Sequence, residues 1–401
     1  MSRDHCYRPE RADSGLIDRL TRRLESSWRD GRPHPALRPL GAAYGLGAAL
    51  RRKLYGPVFK AARAEKPVVS IGNLTVGGSG KTPMALALAR LLLEAGYSPA
   101  VLSRGYGRRP AGEFPPPVAV SRGAGPEVPP EAAGDEPWLM AAELPELRVV
   151  VDADRARGAQ KAVRELGADI LILDDGFQHL KLAADCRVLM VPAYKPFGNR
   201  AVLPAGPLRE PVRAHRRADI LVAAGAPDPP PELLALAEGR PVFAAEYRPL
   251  GWQALGRGFA LKERRPSNPA ETPGPRHGLD EIAPLRGIEP LEALAGRPVF
   301  AFCGLGRPDS FFRSLTALGL NLRRFTALRD HQVYDRPTLN QLGLDFTASG
   351  AEVLVTTAKD AVKIPAGFPW PVLALKMDLA LDRPGEFLDA VLKGISKNGR
   401  L

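Results

Sequence analysis

The stretch Val68-Val-Ser-Ile-Gly72, followed closely by Thr75-Val-Gly-Gly-Ser-Gly-Lys-Thr82, decides the fold of this chain. Its first part is apolar and β-branched, which predicts a buried strand, and Pro83 stands where the first turn of a helix is expected. Backbone N–H groups of a glycine-rich turn between a strand and a helix wrap a phosphate, and the helix N-terminus adds partial positive charge. The stretch therefore predicts a phosphate-binding loop at the edge of an α/β sheet.

The residues of this loop have distinct predicted duties. Lys81 is placed to reach the β- and γ-phosphates of a nucleotide, and the Thr82 hydroxyl is placed to ligate Mg²⁺. The general pattern has glycine where this chain has Thr75, so a chance glycine-rich loop is the alternative; the strand–loop–helix context favours a nucleotide site. The nucleotide-binding residues that we predict in the loop are Thr75, Val76, Gly77, Gly78, Ser79, Gly80, Lys81 and Thr82.

A second motif, Ile170-Leu-Ile-Leu-Asp-Asp-Gly-Phe-Gln-His179, ends an apolar strand in two carboxylates. Ligands bind at the carboxyl edge of parallel strands, where one aspartate holds the Mg²⁺ that the threonine of a phosphate loop also touches. Asp174 and Asp175 are therefore candidate metal ligands, although one of them is also suited to cap the next turn. Gln178 and His179 end the same motif, and we predict nucleotide contact for Gln178 and metal contact for His179.

Past residue 66, strand and helix patterns alternate, which indicates βαβ units and a parallel sheet covered on both faces. We predict a P-loop-type α/β fold, a parallel sheet sandwiched by helices, with a second, smaller α/β domain. The boundaries are 1–66 for a basic N-terminal segment, 67–238 for the P-loop core and 239–401 for the smaller domain, which carries a Pro-rich insertion at 264–278. Beyond the two motifs, the predicted strands are Ala100–Ser103, Arg148–Asp152, Cys186–Val191, Ile220–Ala224, Val299–Cys303, Leu322–Phe325, Val353–Thr356 and Val372–Leu375.

The net charge of +12 is unevenly distributed along the 401 residues. Residues 1–66 hold 15 Lys and Arg against 7 Asp and Glu, so +8 of the excess lies in one-sixth of the chain. Such an asymmetry indicates an anionic partner, either nucleic acid or a phospholipid surface. The three cysteines form no Cys-x-x-Cys pair, which excludes a disulfide scaffold and a cysteine zinc site.

The arrangement of the N-terminal segment favours a lipid surface. Apolar residues recur every four positions among arginines and lysines, which predicts an amphipathic helix lying in a membrane interface; they are Leu46, Leu50, Leu54 and Val58. A helix docked on the protein's own core is the alternative, and Gly41, Gly45 and Gly47 weaken the helix prediction. No apolar run reaches the roughly 18 residues of a spanning helix, so we expect a soluble, intracellular chain.

Eight stretches of this sequence occur in the order in which they stand in one known family. They are VSIGNLTVGGSGKT, SRGYG, AGDEP, LDDGFQH, LPAGPLREP, FCGLG, RDHQVYD and TTAKDAVKI, spanning roughly Leu40 to Ile364. Through them the chain resembles the tetraacyldisaccharide 4'-kinases, the lipid A kinases of Gram-negative bacteria. That family also uses the threonine form of the phosphate loop found at Thr75.

The resemblance implies an activity, cofactors and a place in the cell. The activity is transfer of the ATP γ-phosphate to the 4'-hydroxyl of a tetraacylated glucosamine disaccharide 1-phosphate, with Mg²⁺. The place is the cytoplasmic face of the inner membrane, through peripheral contact. The implied partners are the lipid disaccharide and the membrane surface, with no nucleic acid and no obligate protein partner.

The resemblance also implies roles for individual residues. Asp174, Asp175 and Glu210 would form the metal cluster, with His179 and Arg209 close by. From AGDEP and RDHQ, it implies that Asp135 is the general base and that His331 orients it. A carboxylate held by an imidazole suits late proton removal from a sugar hydroxyl. Because these two residues come from different predicted domains, we expect domain closure to complete the pair.

Two other functions compete with the kinase. A P-loop ATPase or GTPase switch would need no lipid acceptor, but the Asn-Lys-x-Asp stretch typical of guanine specificity does not occur in the sequence. A nucleic-acid-binding protein is suggested by the isoelectric point near 9.8. However, the sequence shows no basic patch interleaved with aromatic residues. The kinase hypothesis accounts for the loop, the carboxylates and the basic N-terminal segment together.

Overall fold

The computed structural model of this chain describes Trp28 and residues 33–55, 59–77, 80–108, 115–255, 285–306, 308–329, 332–365 and 367–397. These residues form two compact units. The P-loop unit takes in the described parts of 14–247 and 379–401, and the C-terminal unit takes in the described part of 248–378. The Pro-rich stretch 264–278 and most of residues 1–35 lie outside the described residues.

The strands and α-helices are numbered along the chain. The strands are β1 (Val68–Asn73), β2 (Pro99–Ser103), β3 (Val118–Arg122), β4 (Arg148–Val151), β5 (Ile170–Leu173), β6 (Cys186–Pro192), β7 (Ile220–Ala224), β8 (Val242–Leu255), β9 (Leu285–Glu289), β10 (Pro298–Cys303), β11 (Asn321–Ala327), β12 (Val353–Thr357) and β13 (Val372–Leu381). The helices are α1 (Arg38–Leu54), α2 (Lys81–Glu94), α3 (Pro130–Ala133), α4 (Asp135–Glu143), α5 (Arg155–Arg164), α6 (Pro231–Leu236), α7 (Pro308–Ala317), α8 (Arg336–Ser349), α9 (Ala358–Ala361) and α10 (Pro384–Ser396).

The sheet of the P-loop unit has the strand order β8-β7-β6-β1-β5-β2-β4-β3 within the described residues. Neighbouring strands are parallel except β3, which is antiparallel to β4. Every residue of β1, β2 and β5 is buried, because helices cover both faces of the sheet. The predicted parallel α/β architecture is confirmed, and the carboxyl ends of β1 and β5 lie side by side at the edge where ligands bind.

The C-terminal unit contains its own parallel strands, in the order β11-β10-β12-β13. In the same unit, the end of β8 pairs with β9 in antiparallel fashion. One face of the parallel strands packs Phe300 and Phe302 against Leu342 and Phe346 of helix α8. Helix α8 was not predicted from the sequence, although Asp335 caps it by accepting a hydrogen bond from the Thr338 N–H.

The last helix, α10, packs on the P-loop unit. Its residues Phe387, Val391 and Ile395 are buried in the same core cluster as Met84 and Leu88 of α2. The predicted boundary at 239–401 had placed this helix with the smaller domain. Its apolar face explains the difference, because the helix buries that face in the core of the P-loop unit, where it packs with α2.

Helix α1 packs through its glycines and exposes its leucines. A Cβ at Gly41 would lie 3.0 Å from the Val202 carbonyl oxygen and 3.2 Å from the Ala205 Cβ, so this face approaches the body closely. Leu46 and Leu50 are 72% and 57% exposed. Of the three glycines that weakened the helix prediction, Gly41 and Gly45 therefore form its packed face, whereas Gly47 has open space around it. The helix ends before Val58, which lies outside the described residues, and no described helix is long and apolar enough to cross a membrane.

Candidate active site

The phosphate loop follows β1 and leads directly into α2. Gly77 and Gly80 have φ angles of 95° and 78°, in the left-handed region that favours glycine. Thr75 is buried and forms an isolated bridge with Leu208, while Gly78 and Ser79 lie outside the described residues. The backbone of the described loop residues therefore has the strand–turn–helix form expected of a phosphate site.

Lys81, the first residue of α2, lies among polar groups at the carboxyl edge of the sheet. Its Nζ is 3.3 Å from the Asn73 Oδ1 and 3.5 Å from the Asp175 Oδ1. Asn73 also donates to the Thr75 carbonyl oxygen at 2.7 Å, so one amide fixes both the lysine and the loop. Asn73 was not predicted as a site residue. Its signal in the sequence is that a polar residue ends a buried strand.

The structure separates the two adjacent aspartates. Asp174 is buried, and the Thr82 hydroxyl lies 3.4 Å from its Oδ2. Asp175 has a φ of 52°, and its side chain is 39% exposed. Arg209 Nη1 donates to both Asp175 carboxylate oxygens, at 2.9 and 3.0 Å. Asp174 therefore faces the phosphate-loop threonine, while Asp175 pairs with the two cations of the site.

Burial gives Asp174 unusual electrostatics. The pKa of this carboxyl is raised to about 7, chiefly by removal from water and also by the nearby carboxylates of Glu136 and Asp175, against the opposing charges of Lys81 and Arg155. Its Oδ1 is buried and has no hydrogen-bond partner among the described residues. A buried carboxylate oxygen without a donor is a site suited to a cation.

The third oxygen donor of this cluster comes from a residue that sequence reasoning did not select. Glu136, in the first turn of α4, has its Oε2 3.2 Å from the Thr82 hydroxyl. The AGDEP motif contains it directly after the predicted base, Asp135. Glu136 was not predicted as a site residue. Its signal in the sequence is that two adjacent acidic residues, Asp135 and Glu136, begin a helix. The structure thus groups Thr82, Asp174 and Glu136.

Glu210 contacts two arginines, and its implied place in the metal cluster stays a prediction. Its carboxylate is held by Arg217 at 2.7 Å and by Arg52 of helix α1 at 3.1 Å. Two guanidinium groups therefore surround it, and through Arg52 it fastens helix α1. Among the described residues, no group of three or more acidic, histidine or cysteine side chains is arranged to hold a metal ion.

The remaining predicted residues lie as follows. Gln178 joins the site, since it donates to the Asn73 carbonyl oxygen at 2.8 Å and lies 3.3 Å from Arg209 Nη1. Burial, with the charge of Arg155, lowers the pKa of His179 to about 4, so its imidazole is neutral at pH 7. His331 lies outside the described residues, and its role stays a prediction.

Fold and site together define a class of protein. A lysine and a threonine follow a glycine-rich loop, and two carboxylates lie beside that threonine at the edge of a parallel sheet. These are the parts that bind a nucleoside triphosphate and transfer or hydrolyse its terminal phosphate. The molecule is a P-loop nucleotide-binding protein.

Comparison with known proteins narrows the class. The family model of the tetraacyldisaccharide-1-P 4'-kinase, LpxK, matches residues 33–396. The tetraacyldisaccharide 4'-kinase of Anaeromyxobacter dehalogenans is 42% identical over 388 residues, covering 92% of this chain and 94% of that protein. That of Pelobacter propionicus is 37% identical over 365 residues, covering 90% and 92%.

A solved structure agrees with these sequence matches. The crystal structure of LpxK from Aquifex aeolicus in complex with ATP superposes with a TM-score of 0.67 at 32% identity. The match covers 90% of this chain and 98% of the Aquifex chain. This chain belongs to the tetraacyldisaccharide-1-P 4'-kinase family.

The geometry at Gly80 predicts a selective loss of nucleotide binding. A Cβ there would lie 2.2 Å from the Tyr247 hydroxyl, so we expect Gly80→Ala to disturb the loop and weaken ATP binding at least about tenfold. Gly96→Ala, at the other end of α2, is the matched control, because Gly96 has a similar φ of 84° and open space around it. We expect Gly96→Ala to lose about 1–2 kcal/mol of stability through its left-handed backbone and Gly80→Ala to lose at least as much, measured by thermal unfolding. ATP titration should separate them, and equal ATP affinities would contradict the expectation.

Proposed function

We propose that this enzyme transfers the γ-phosphate of ATP to the 4'-hydroxyl of a tetraacyldisaccharide 1-phosphate, giving lipid IVA in lipid A biosynthesis. Membership of the family makes it a kinase. The observation that carries the proposal is the convergence of Lys81, Thr82 and Asp174 at the carboxyl edge of the sheet. A P-loop ATPase switch has the same parts, so the acceptor decides between the two.

The donor set beside the loop suits a magnesium ion. Mg²⁺ prefers hard oxygen ligands, and we propose that Thr82, Asp174 and Glu136 supply them. The buried, unpartnered Oδ1 of Asp174 supports this assignment. Bound there with ATP, the ion would neutralise charge on the phosphates. Lys81 and Arg209 add positive charge to the same site, and both pair with Asp175 in the described structure.

Proton removal from the sugar hydroxyl needs a base. We propose Asp135 for this task, since it stands in the first turn of α4 next to Glu136, which lies beside Thr82. We further propose that His331 orients it. In a loose phosphoryl-transfer transition state the hydroxyl proton leaves late, so a carboxylate suffices as the base.

Helix α1 supports a peripheral contact with the membrane in which the lipid substrate lies. Its outward leucines are flanked by Arg51 and Lys53 in the last turn. Such a surface binds the headgroup boundary of an anionic membrane. We propose that the enzyme acts at the cytoplasmic face of the inner membrane.

The decisive experiment follows labelled phosphate from ATP into the lipid. The enzyme is incubated with γ-labelled ATP and tetraacyldisaccharide 1-phosphate in mixed micelles, and the lipid is extracted. Label at the 4'-position supports the proposal. Release of inorganic phosphate at the same rate with and without the lipid would instead support the ATPase switch.

Variants of the proposed base pair have a distinct expected signature. We expect Asp135→Asn and His331→Ala each to lower kcat by about 10²-fold with little change in the KM for ATP, because neither removes a phosphate ligand. The double variant should be no slower than the worse single variant. Glu131→Gln, an exposed carboxylate on the preceding short helix, is the control. Steady-state kinetics in the micelle assay decides, and wild-type kcat in Asp135→Asn would refute this role.

A further inference from the structure

A cavity of about 410 Å³ lies between helix α1 and residues 200–213, two parts of the P-loop unit. We call it the α1 cavity. Twelve described residues line it, six from α1 and six from 200–213, and the phosphate-loop and carboxylate residues of the candidate active site are not among them. Phosphate transfer therefore does not account for this cavity.

Small residues of α1 create the space. Gly41, Gly45 and Ala49 stand four residues apart, so they share one face of the helix. A Cβ at Gly41 would lie 3.0 Å from the Val202 carbonyl oxygen, whereas a Cβ at Gly45 would lie 3.7 Å from Val202 Cγ2 and 4.0 Å from Pro211 Cγ. The two walls therefore approach closely at Gly41 and less closely at Gly45, and the small side chain of Ala49 leaves the cavity open beyond them.

Apolar groups form the floor of the α1 cavity, and charged groups form its rim. Nine of the twelve lining residues are Gly, Ala, Val, Leu or Pro, and the other three are Arg38, Arg200 and Arg213. The three arginines are exposed, whereas Gly41 and Ala205 are buried. An apolar floor below a cationic rim complements an amphiphile that carries a negative charge at one end.

The charge of the rim is only partly neutralised. Arg200 pairs with the Glu232 carboxylate at 2.8 Å, but both side chains are exposed, and exposed pairs are weak. In the described part of the chain, no carboxylate pairs with Arg38 or Arg213. Helix α1 itself holds four basic residues and no acidic one. The rim therefore keeps positive charge for an anionic ligand.

Two simpler ligands fit the α1 cavity less well than a charged lipid. Inorganic phosphate would leave the apolar floor unused, and a fatty chain without charge would leave the arginines unpaired. Leu46 also lines the cavity, and it is 72% exposed on the face of α1 that we propose to meet the membrane. The cavity is therefore continuous with a surface at which phospholipids are available.

We infer that the α1 cavity binds one anionic phospholipid of the membrane. The phosphate of that lipid accepts hydrogen bonds from the rim arginines, and the first carbons of an acyl chain cover the floor. The membrane contact proposed above needs only an amphipathic surface, whereas this site takes a single lipid molecule and saturates. Because the lipid touches both walls, it also holds α1 against the rest of the unit.

A short-chain lipid tests the inference without a membrane. Dihexanoylphosphatidylglycerol, kept below its critical micelle concentration, is titrated into the full chain in a calorimeter, and we expect saturable binding of one molecule per chain. Dihexanoylphosphatidylcholine has the same chains without net charge, and glycerol 3-phosphate has the charge without chains. We expect each of these to bind at least about tenfold more weakly. Equal binding of either one, or no saturable binding of the phosphatidylglycerol, would overturn the inference.

Two variants each remove one half of the site. Arg213→Gln takes a charge from the rim and Ala49→Phe fills the floor, and we expect each to weaken phosphatidylglycerol binding by at least about tenfold. Arg216→Gln is the matched control, because Arg216 lies in the same short helix, Val212–Arg217, but pairs with Glu238 at 3.1 Å and does not line the cavity. Unchanged binding by either variant would refute the site, as would an equal loss in Arg216→Gln.

Thermal unfolding gives a second readout and shows whether the variants fold. Since a bound ligand stabilises the folded state, dihexanoylphosphatidylglycerol should raise the unfolding midpoint of the wild type and of Arg216→Gln. It should leave the midpoints of Arg213→Gln and Ala49→Phe nearly unchanged at the same lipid concentration. Equal shifts in all four proteins would place the lipid elsewhere on the molecule and overturn the inference.

The acceptor substrate is the other lipid to be distinguished. We expect the KM for tetraacyldisaccharide 1-phosphate, in detergent micelles free of phospholipid, to be the same in Arg213→Gln as in the wild type. A several-fold rise in that KM, or displacement of the phosphatidylglycerol by the substrate, would assign the cavity to the substrate and overturn the inference. A wild-type enzyme that labels no lipid would instead contradict the proposed function, and the titration would still decide on the phospholipid site.

Discussion

Replacement of Lys81 with alanine is expected to lower kcat for phosphate transfer by about 10³-fold. Charge builds up on the transferred phosphate and its leaving group, and a fixed cation in a largely water-excluded site contributes most at that moment. Lys81 is well placed for this, because its side chain is only 13% exposed and is held by Asn73 and Asp175. No other lysine lies among the site residues described above.

The fold should survive this change. Asp175 keeps its 2.9 Å pair with Arg209 when Lys81 is removed, and its partial exposure lets water solvate the rest. Lys161→Ala is the control, since it breaks an ion pair with Glu165 on helix α5, and surface pairs of this kind contribute about 0–1 kcal/mol. Transfer of labelled phosphate to lipid measures both variants. Near-normal transfer by Lys81→Ala would contradict the assignment of the phosphate loop.

The second large effect is expected for Asp174→Asn, which should lower kcat by about 10³-fold. The variant keeps the shape of the side chain but loses the negative charge that a bound cation requires. Asp169→Asn is a matched control, because Asp169 precedes the opposite end of strand β5 and accepts a hydrogen bond from the Ser98 N–H, away from the site. Transfer kinetics over a range of Mg²⁺ concentrations gives the measurement. If excess Mg²⁺ restored full activity to the variant, the prediction would be contradicted, because Asp174 would then only strengthen Mg²⁺ binding.

The same variant should be more stable than the wild type when no metal is bound. The pKa of Asp174 is about 7 in the folded protein, against 3.8 for an ordinary aspartate. Between these two pH values the folded state holds a proton that the unfolded state releases, so this group makes stability fall as the pH rises through the window. At pH 8 the wild type bears the full cost, roughly 4 kcal/mol in all, and asparagine avoids it.

Denaturation in urea with a metal chelator tests this prediction. The stability difference between Asp174→Asn and wild type should be small at pH 4 and should grow up to about pH 7. Added Mg²⁺ should reverse the order at pH 8, because only the wild type gains from binding it. A difference that does not vary with pH would show that Asp174 titrates normally.

Much of the fold was predictable because its signals are local. The apolar runs of β1 and β5 and the glycine-rich turn before Lys81 each specify their own backbone form. The edge strand β3 was not predicted, because it follows a proline-rich stretch and its partner β4 comes later in the chain. The position of α10 was not predicted either, since its apolar face fits any core and only packing against α2 selects one.

The residues of the site likewise divide into those that the local sequence predicts and those that only the tertiary structure places. Lys81 and Thr82 act through their immediate neighbours, and a loop between a strand and a helix places them without help from distant residues. Asp174 and Asp175 look alike in sequence, yet burial of one and the left-handed backbone of the other give them different partners. Such a difference arises only when the surrounding elements exclude water from one carboxylate.

The sequence alone therefore determined the class of chemistry, because the phosphate loop and the strand ending in aspartates are short-range patterns whose local geometry creates their function. The tertiary structure alone decided which carboxylates share the cluster. In the folded chain, Glu136 accepts a hydrogen bond from Thr82, and Glu210 pairs with Arg52 and Arg217. Electrostatic pairing depends on distances of a few ångströms between residues far apart in the chain, and only the folded arrangement of the elements sets those distances.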